Sequence, residues 1–322
     1  MSLPSSPKQS CNYGYPANLN ELTTQVRTAV PRELLLRYKQ GTCVNEDLDY
    51  KLPQLISAAS NDAGVGRVVE RAAHVVGQCM LLRDVLDIGS ILDDEYFPSG
   101  LIPRLEKWSS LSVVGDDVRG NTVIYFDLQN FNPTEYKACW DLGSREVPAG
   151  LKNHSEFDDP AVVNYCSLWY VRMMEWIHQS RFDSFKEGRV PEPRVVMILN
   201  VDSIGFSTYS TELKSFLKGI RIVGGYLYPE ICDYIFAANV HWIADRFWPV
   251  IRLVLHHATA SKVKIYDKHR TKKYLPELVP AADLPEALGG KCQPERMFKR
   301  NLTKYTIDDT GGQSPGTDDT TA

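Results

Sequence analysis

Apolar positions change their spacing partway along the chain, and that change divides it into two parts. From Leu19 to about Leu111 the apolar residues recur at helical intervals. Pro31 stands where a first helical residue belongs, ahead of the run Glu33-Leu34-Leu35-Leu36-Arg37-Tyr38. The longest helix is expected to open near Gly66. Val65, Val68, Val69, Ala72, Val75, Val76, Cys79, Leu82 and Leu86 fall at three- and four-residue steps, and Arg67, Glu70, Arg71, His74 and Gln78 occupy the other face. This part reads as a small helical bundle.

After Gly120 short β-rich runs alternate with helical ones. Thr122 to Phe126, Arg194 to Leu199, Tyr234 to Ala238 and Lys262 to Tyr266 read as strands. Helices are expected after Asn132-Pro133, over Ala161 to about Phe185, over Thr211 to Tyr226, over His241 to Leu255, and from Lys272 onward. The helix from Ala161 is apolar nearly all round, so it is buried or lines something apolar. Strands of about five residues separated by helices argue an α/β fold: a mainly parallel sheet with helical crossovers, preceded by the helical bundle. The boundaries follow as a flexible tail over 1–18, a helical subdomain over 19–115, an α/β domain over 116–292 and a second tail over 293–322.

Composition narrows the function classes. Of 322 residues, 43% are hydrophobic and 24% charged, values of a soluble globular protein. No uncharged apolar run approaches the roughly 18 residues of a membrane-spanning helix, and the first ten residues do not read as a secretion signal. The net charge of −4 offers no basic field for nucleic acid. Seven dispersed cysteines without a CxxC pair suggest reduced thiols and a cytoplasmic setting. GxSxG, Walker, HExxH and GxGxxG motifs are missing, and His256-His257 lacks further ligands at metal spacing. The expectation is therefore no enzyme, no metal and no cofactor. Asp93-Asp94-Glu95 and Asp158-Asp159 read as caps or solvated loops.

The stretch from Gly225 to Gly290 carries the most information. Tyr228-Pro229-Glu230 is followed by a strand ending at Asn239 and then by an aromatic amphipathic helix. Thr259 and Ser261-Lys262 precede the last strand, and Leu284-Pro285 with Gly289-Gly290 close the segment. In order and spacing these landmarks resemble the CRAL-TRIO lipid-binding family, over roughly residues 30–292. The sequence departs from the family's pattern at Thr42, Val195, Met197, Ile231 and Asn239-Val240-His241.

The resemblance implies a hydrophobic pocket holding one lipid, with phosphatidylinositol favoured among phospholipids. Glu230, Thr259 and Lys262 match the family's phosphoinositide-coordinating set. Lys262 to Lys273 carries six basic residues against one acid, and Lys262 and Lys264 alternate with Val263 and Ile265. Both lysines are thus expected on one sheet face, with Lys264 a further headgroup candidate. Trp169, Met173, Met197, Leu199, Phe216, Phe236 and Trp242 are expected to house the tails, methionines suiting variable chains. The helix bearing Phe247, Trp248, Ile251 and Arg252 resembles the family's gate, its aromatics placed for the headgroup boundary. The expected protein is a monomer that binds and transfers or presents a phospholipid at cytoplasmic membrane surfaces, to which it attaches peripherally. A carrier of an uncharged hydrophobe such as tocopherol or retinal, and a protein-interaction adaptor with a vestigial pocket, are the alternatives.

Overall fold

Four helices of the second part begin where a side chain takes up the N–H groups that a helix start leaves unbonded. In the computed structural model, which describes residues 17–30, 52–60, 67–108, 110–152, 154–186, 194–202, 210–241 and 257–292, Asn132 caps Pro133–Leu142 by accepting from Thr134 N and Glu135 N. Asp159 caps Pro160–Val163, Ser210 caps Thr211–Leu227, and Asp267 caps Lys268–Leu278. In chain order the helices used below are α1 (Leu19–Ala29), α2 (Val68–Val85), α3 (Leu101–Trp108), α4 (Pro133–Leu142), α5 (Pro160–Val163), α6 (Tyr165–Lys186), α7 (Thr211–Leu227), α8 (His257–Lys262) and α9 (Lys268–Leu278). Residues 52–60 are also helical.

Five strands form one sheet in the order β1-β2-β3-β4-β5: Ser110–Asp116, Thr122–Asp127, Val195–Asn200, Cys232–Ala238 and Val263–Ile265. The first pair is antiparallel and the other three are parallel, as an α/β sheet with helical crossovers requires. An order without reversal has a consequence, because crossovers between parallel strands are right-handed. Successive crossovers stepping in one direction must then lie on one face. Accordingly Ile124 and Val195 share a buried cluster with α6 and α7 residues such as Leu168, Val171, Val223 and Leu227. The far face, carrying Val123, Tyr125, Val196, Ile198, Phe236 and Ala238, is covered by Leu275 and Val279 and then by Leu284 and Leu288.

The N-terminal helices have their own core of Leu22, Val26, Leu52, Leu55, Ile56, Ala72, Val76 and Met80. Helix α2 joins it to the sheet domain. Its Val68, Ala72, Val76 and Met80 face the first core, while Cys79 and Leu82 enter the second.

Three expectations need correction. The helical reading to Leu111 and the boundary at 115/116 fail because Ser110–Asp116 is a strand, paired from Ser110↔Asp127 to Asp116↔Thr122. Its Ser-Leu-Ser start gives a weak alternating signal, and Gly115 sits at a shift in register. The long helix from Ala161 is two helices. Asn164 ends the first and opens the second, accepting from Cys166 N at 2.8 Å and donating to Trp140 O at 3.0 Å. Lys262 closes helix α8 and does not lie in the strand, so it and Lys264 do not share a sheet face. The run Glu33–Tyr38, the helix expected over His241 to Leu255 and both terminal tails lie outside the described residues, apart from Ala17, Asn18 and His241.

Helix α7 approaches α5 and α6 closely through Gly219, where a Cβ would collide with the Ala161 carbonyl and the Ser167 hydroxyl. Alanine would gain about 1 kcal/mol of helix propensity, yet overpacking against backbone costs about 1–3 kcal/mol. Gly219→Ala is expected to lose about 1 kcal/mol net, lowering the melting temperature by roughly 2–4 °C in thermal denaturation. An unchanged or raised melting temperature would show that α7 is free to move outward.

Candidate functional site

The turn between α7 and β4 carries the polar end of the site. Tyr228, at the C-terminal cap of α7, donates its N–H to Gly224 O at 2.9 Å. Two residues later Glu230 adopts φ +57°, a left-handed conformation that costs an ordinary side chain roughly 1–2 kcal/mol. Such strain persists only where the flanking structure imposes it. Here Ile231 is buried and its carbonyl accepts Val195 N–H at 2.8 Å, so the turn is tied to β3 on its far side. Glu230 then meets Lys262 from the end of α8: Nζ lies 2.6 Å from Oε2 and 2.8 Å from Cys232 O. The side chains of Lys262 and Glu230 are 21% and 12% exposed, so the pair is shielded yet reachable.

A cavity of about 660 Å³ opens beside this pair, with Glu230, Thr259 and Lys262 in its wall. Those three sequence-identified residues are brought together. Lys264 is not among the residues lining it. In register with Phe236 it points to the opposite side of the sheet, where its ammonium lies 5.9 Å from the Tyr234 ring. Burial pushes the Cys232 thiol at the cavity wall up to about 12, against the opposing pull of Lys262. Ala58, Ala59, Arg71 and Val75 of the N-terminal helices also line the cavity, and so do two polar contacts. Lys218 pairs with Asp159, and Tyr226 donates to Glu156. Burial alone would raise the Asp159 carboxyl, but the Lys218 and Ala161 N–H bonds outweigh it and hold the group below its usual range.

A second cavity, of about 130 Å³, lies between the sheet and helices α6 and α7. Trp169, Met173, Met197, Leu199 and Phe216 line it, and none of its described walls is charged. That is close to the size of an engineered apolar cavity that stays dry and accepts a single aromatic ring. Phe236 does not belong to it. Phe236 pairs with Ile198, one position out of phase with Met197, so it packs with the far-face cluster. Strand parity decides the matter, and parity is readable only once the register is known. Trp242 and the gate residues Phe247, Trp248, Ile251 and Arg252 lie outside the described residues.

Sequence reading missed the residues that connect the two spaces. Tyr170, Leu217 and Ile220 line both cavities. Leu213, Phe216, Leu217 and Ile220 recur at three- and four-residue steps on α7, a pattern that could have identified them as one lining stripe. Phe126, from β2, shares the inward parity of Met197 and Leu199 by register.

Behind the polar end sits a buried charged set. Arg83 of α2 grips Glu175 of α6 with two bonds, Nη2 to Oε1 at 2.6 Å and Nη1 to Oε2 at 3.1 Å. Tyr228 donates its hydroxyl to Glu175 Oε2 at 2.6 Å. Burial and the neighbouring Glu175 carboxylate hold the Tyr228 phenol well above its ordinary value, so it stays a donor.

Comparison with known proteins agrees with this architecture. The chain is 26% identical over 95 residues to the phosphatidylinositol/phosphatidylcholine transfer protein SFH12 of Arabidopsis thaliana, and 30% identical over 98 residues to SFH11 of the same description and organism. These stretches make up 30% of this chain and only 17% and 25% of the two relatives. The crystal structure of Sfh5 superposes with a TM-score of 0.57 at 14% identity, covering 90% of this chain and 92% of that one, a shared fold. Residues 109–290, more than half the chain, match the family model described as the CRAL/TRIO domain, and the chain belongs to that family.

Proposed function

We propose that this protein binds a single phospholipid, phosphatidylinositol being favoured, and transfers or presents it at cytoplasmic membrane surfaces without making or breaking a bond. One observation carries the reading: a larger cavity of mixed polar and apolar lining, which holds the Glu230–Lys262 pair, and a small apolar cavity share the walls Tyr170, Leu217 and Ile220. Such a two-part space suits a molecule with a polar head and apolar tails. Each methylene withdrawn from water gains about 0.8 kcal/mol, enough for tails to drive uptake without catalysis. In this reading Glu230, Thr259 and Lys262 meet the head. Trp169, Met173, Met197, Leu199 and Phe216 meet the tails, with the two methionines adapting to chain shape. The descriptions of the Arabidopsis thaliana relatives as phosphatidylinositol/phosphatidylcholine transfer proteins point the same way. Peripheral attachment is consistent with the described helices, none of which is long and apolar enough to cross a membrane.

A neutral hydrophobe is the second reading, favoured by the mutual neutralisation of Glu230 and Lys262, which leaves that pair without net charge. Mass spectrometry of lipids extracted from the purified protein separates the two. Phosphatidylinositol or another phospholipid near one per chain is the expected result; an isoprenoid selects the second reading, and no lipid rejects both.

Two substitutions divide the site. Lys262→Ala removes the cation and leaves Glu230 unpaired in a shielded position, a loss of about 2 kcal/mol. Phosphatidylinositol transfer between phosphatidylcholine vesicles should then fall at least tenfold. Met197→Trp fills the apolar space from the sheet side. It should abolish retention of any lipid while circular dichroism keeps the native signal. Retained lipid at full stoichiometry would place the tails elsewhere.

A further inference from the structure

The Arg83–Glu175–Tyr228 set has no contact with the ligand space except through Tyr228, which lines the larger cavity. Its members are nonetheless deeply placed: the side chains of Arg83 and Glu175 are 10% and 2% exposed, and Tyr228 is 4% exposed. Burying an ion pair brings little net stability over apolar residues of the same volume. What such a set supplies is direction, since a bidentate guanidinium–carboxylate fork admits one geometry. The third member receives that direction. Tyr228 begins the turn in which Glu230 is held left-handed, and the opposite end is pinned by buried Ile231 and its bond to Val195 N–H. Arg83 lies in α2, before the residues matched by the family model.

We infer that Arg83, Glu175 and Tyr228 are positioning residues, by which the N-terminal helices hold the Tyr228–Cys232 turn so that the Glu230 carboxylate stays on Lys262. The consequence for ligand choice rests on the proposed lipid carrier. The positioning itself is a property of the protein without ligand. Loss of the fork's direction leaves the apolar space intact, because none of the three residues lines it. Headgroup affinity should therefore change while tail binding does not.

The test uses the full chain. Tyr228→Phe keeps the ring and removes only the hydroxyl. Amide hydrogen exchange across residues 228–232 should become at least fivefold faster while exchange in β2 and β3 is unchanged. Transfer of fluorescent phosphatidylinositol between phosphatidylcholine vesicles should fall about tenfold. Binding of the apolar probe N-phenylnaphthylamine should change less than twofold. Adding Tyr228→Phe to Lys262→Ala should cause no further loss of transfer, since both act on one contact. Unaltered exchange across 228–232, or losses that multiply in the double variant, overturns the inference. Should Tyr228→Phe fail to fold, Arg83→Lys, which keeps the charge and loses the fork, is read by the same criteria. A wild-type protein that carries no phospholipid would defeat the phospholipid reading, while the exchange measurement would still decide the positioning.

Discussion

Strand order governs this structure more than any single contact. Four neighbouring strands stepping in one direction, joined by right-handed crossovers, place helices α4 to α7 on one face of the sheet. The alternation of side chains then gives the two faces different tasks. Val196, Ile198, Phe236 and Ala238 fill a solid layer against α9 and the segment after it. Ile124, Met197 and Leu199 face helices whose own bulk keeps them from closing completely on the sheet, and there the apolar cavity lies. The close approach at Gly219 limits how far α7 can stand off from α5 and α6, so the space is bounded on its helical side.

The solid face is also where the polar ends of the strands are secured. Asn239, at φ +58°, takes a conformation that asparagine tolerates better than most residues. Its side chain donates to Asn200 Oδ1 at 3.0 Å, and its N–H is bonded to Thr271 Oγ1 at 3.0 Å. Asn200 in turn donates to the Tyr125 hydroxyl and to Asp127. Three neighbouring strands and helix α9 are thereby joined at one end on the face away from the apolar cavity. The departure from the family's pattern at Val240-His241 leaves Asn239 in this role.

Local signals in the sequence were sufficient for elements whose evidence is itself local. Caps at Asn132, Asp159 and Ser210 place the starts of those helices, and the β-branched runs place β2 and β3, within a residue or two of where they stand. Glu230, Thr259 and Lys262 line one cavity, brought together by the turn after α7 and by helix α8. What could not be read was relational. Phe236 and Met197 are both apolar strand residues, and only the pairing Ile198↔Phe236 puts one behind the sheet. Lys262 and Lys264 alternate on paper, but a helix that ends at Lys262 cancels the alternation. Ser110–Asp116 draws its strand character from an antiparallel partner beyond a turn, a contact that no window on its own residues contains.

The Arg83–Glu175–Tyr228 set belongs to the same class of hidden information, since its members come from two helices and the cap of a third, separated by more than 50 residues at each step. Its chemistry explains why the site tolerates a strained glutamate. A carboxylate that must sit beside Lys262 at the lip of a cavity cannot be placed by packing alone, because one side of it faces open space. The backbone must be held from behind, and at Tyr228 that restraint is a hydroxyl bonded to a carboxylate already fixed by two guanidinium bonds. An apolar side chain at Tyr228 could fill the same volume but would leave the turn free to rotate. The buried Arg83–Glu175 pair thus stands behind Tyr228, two residues before the left-handed Glu230.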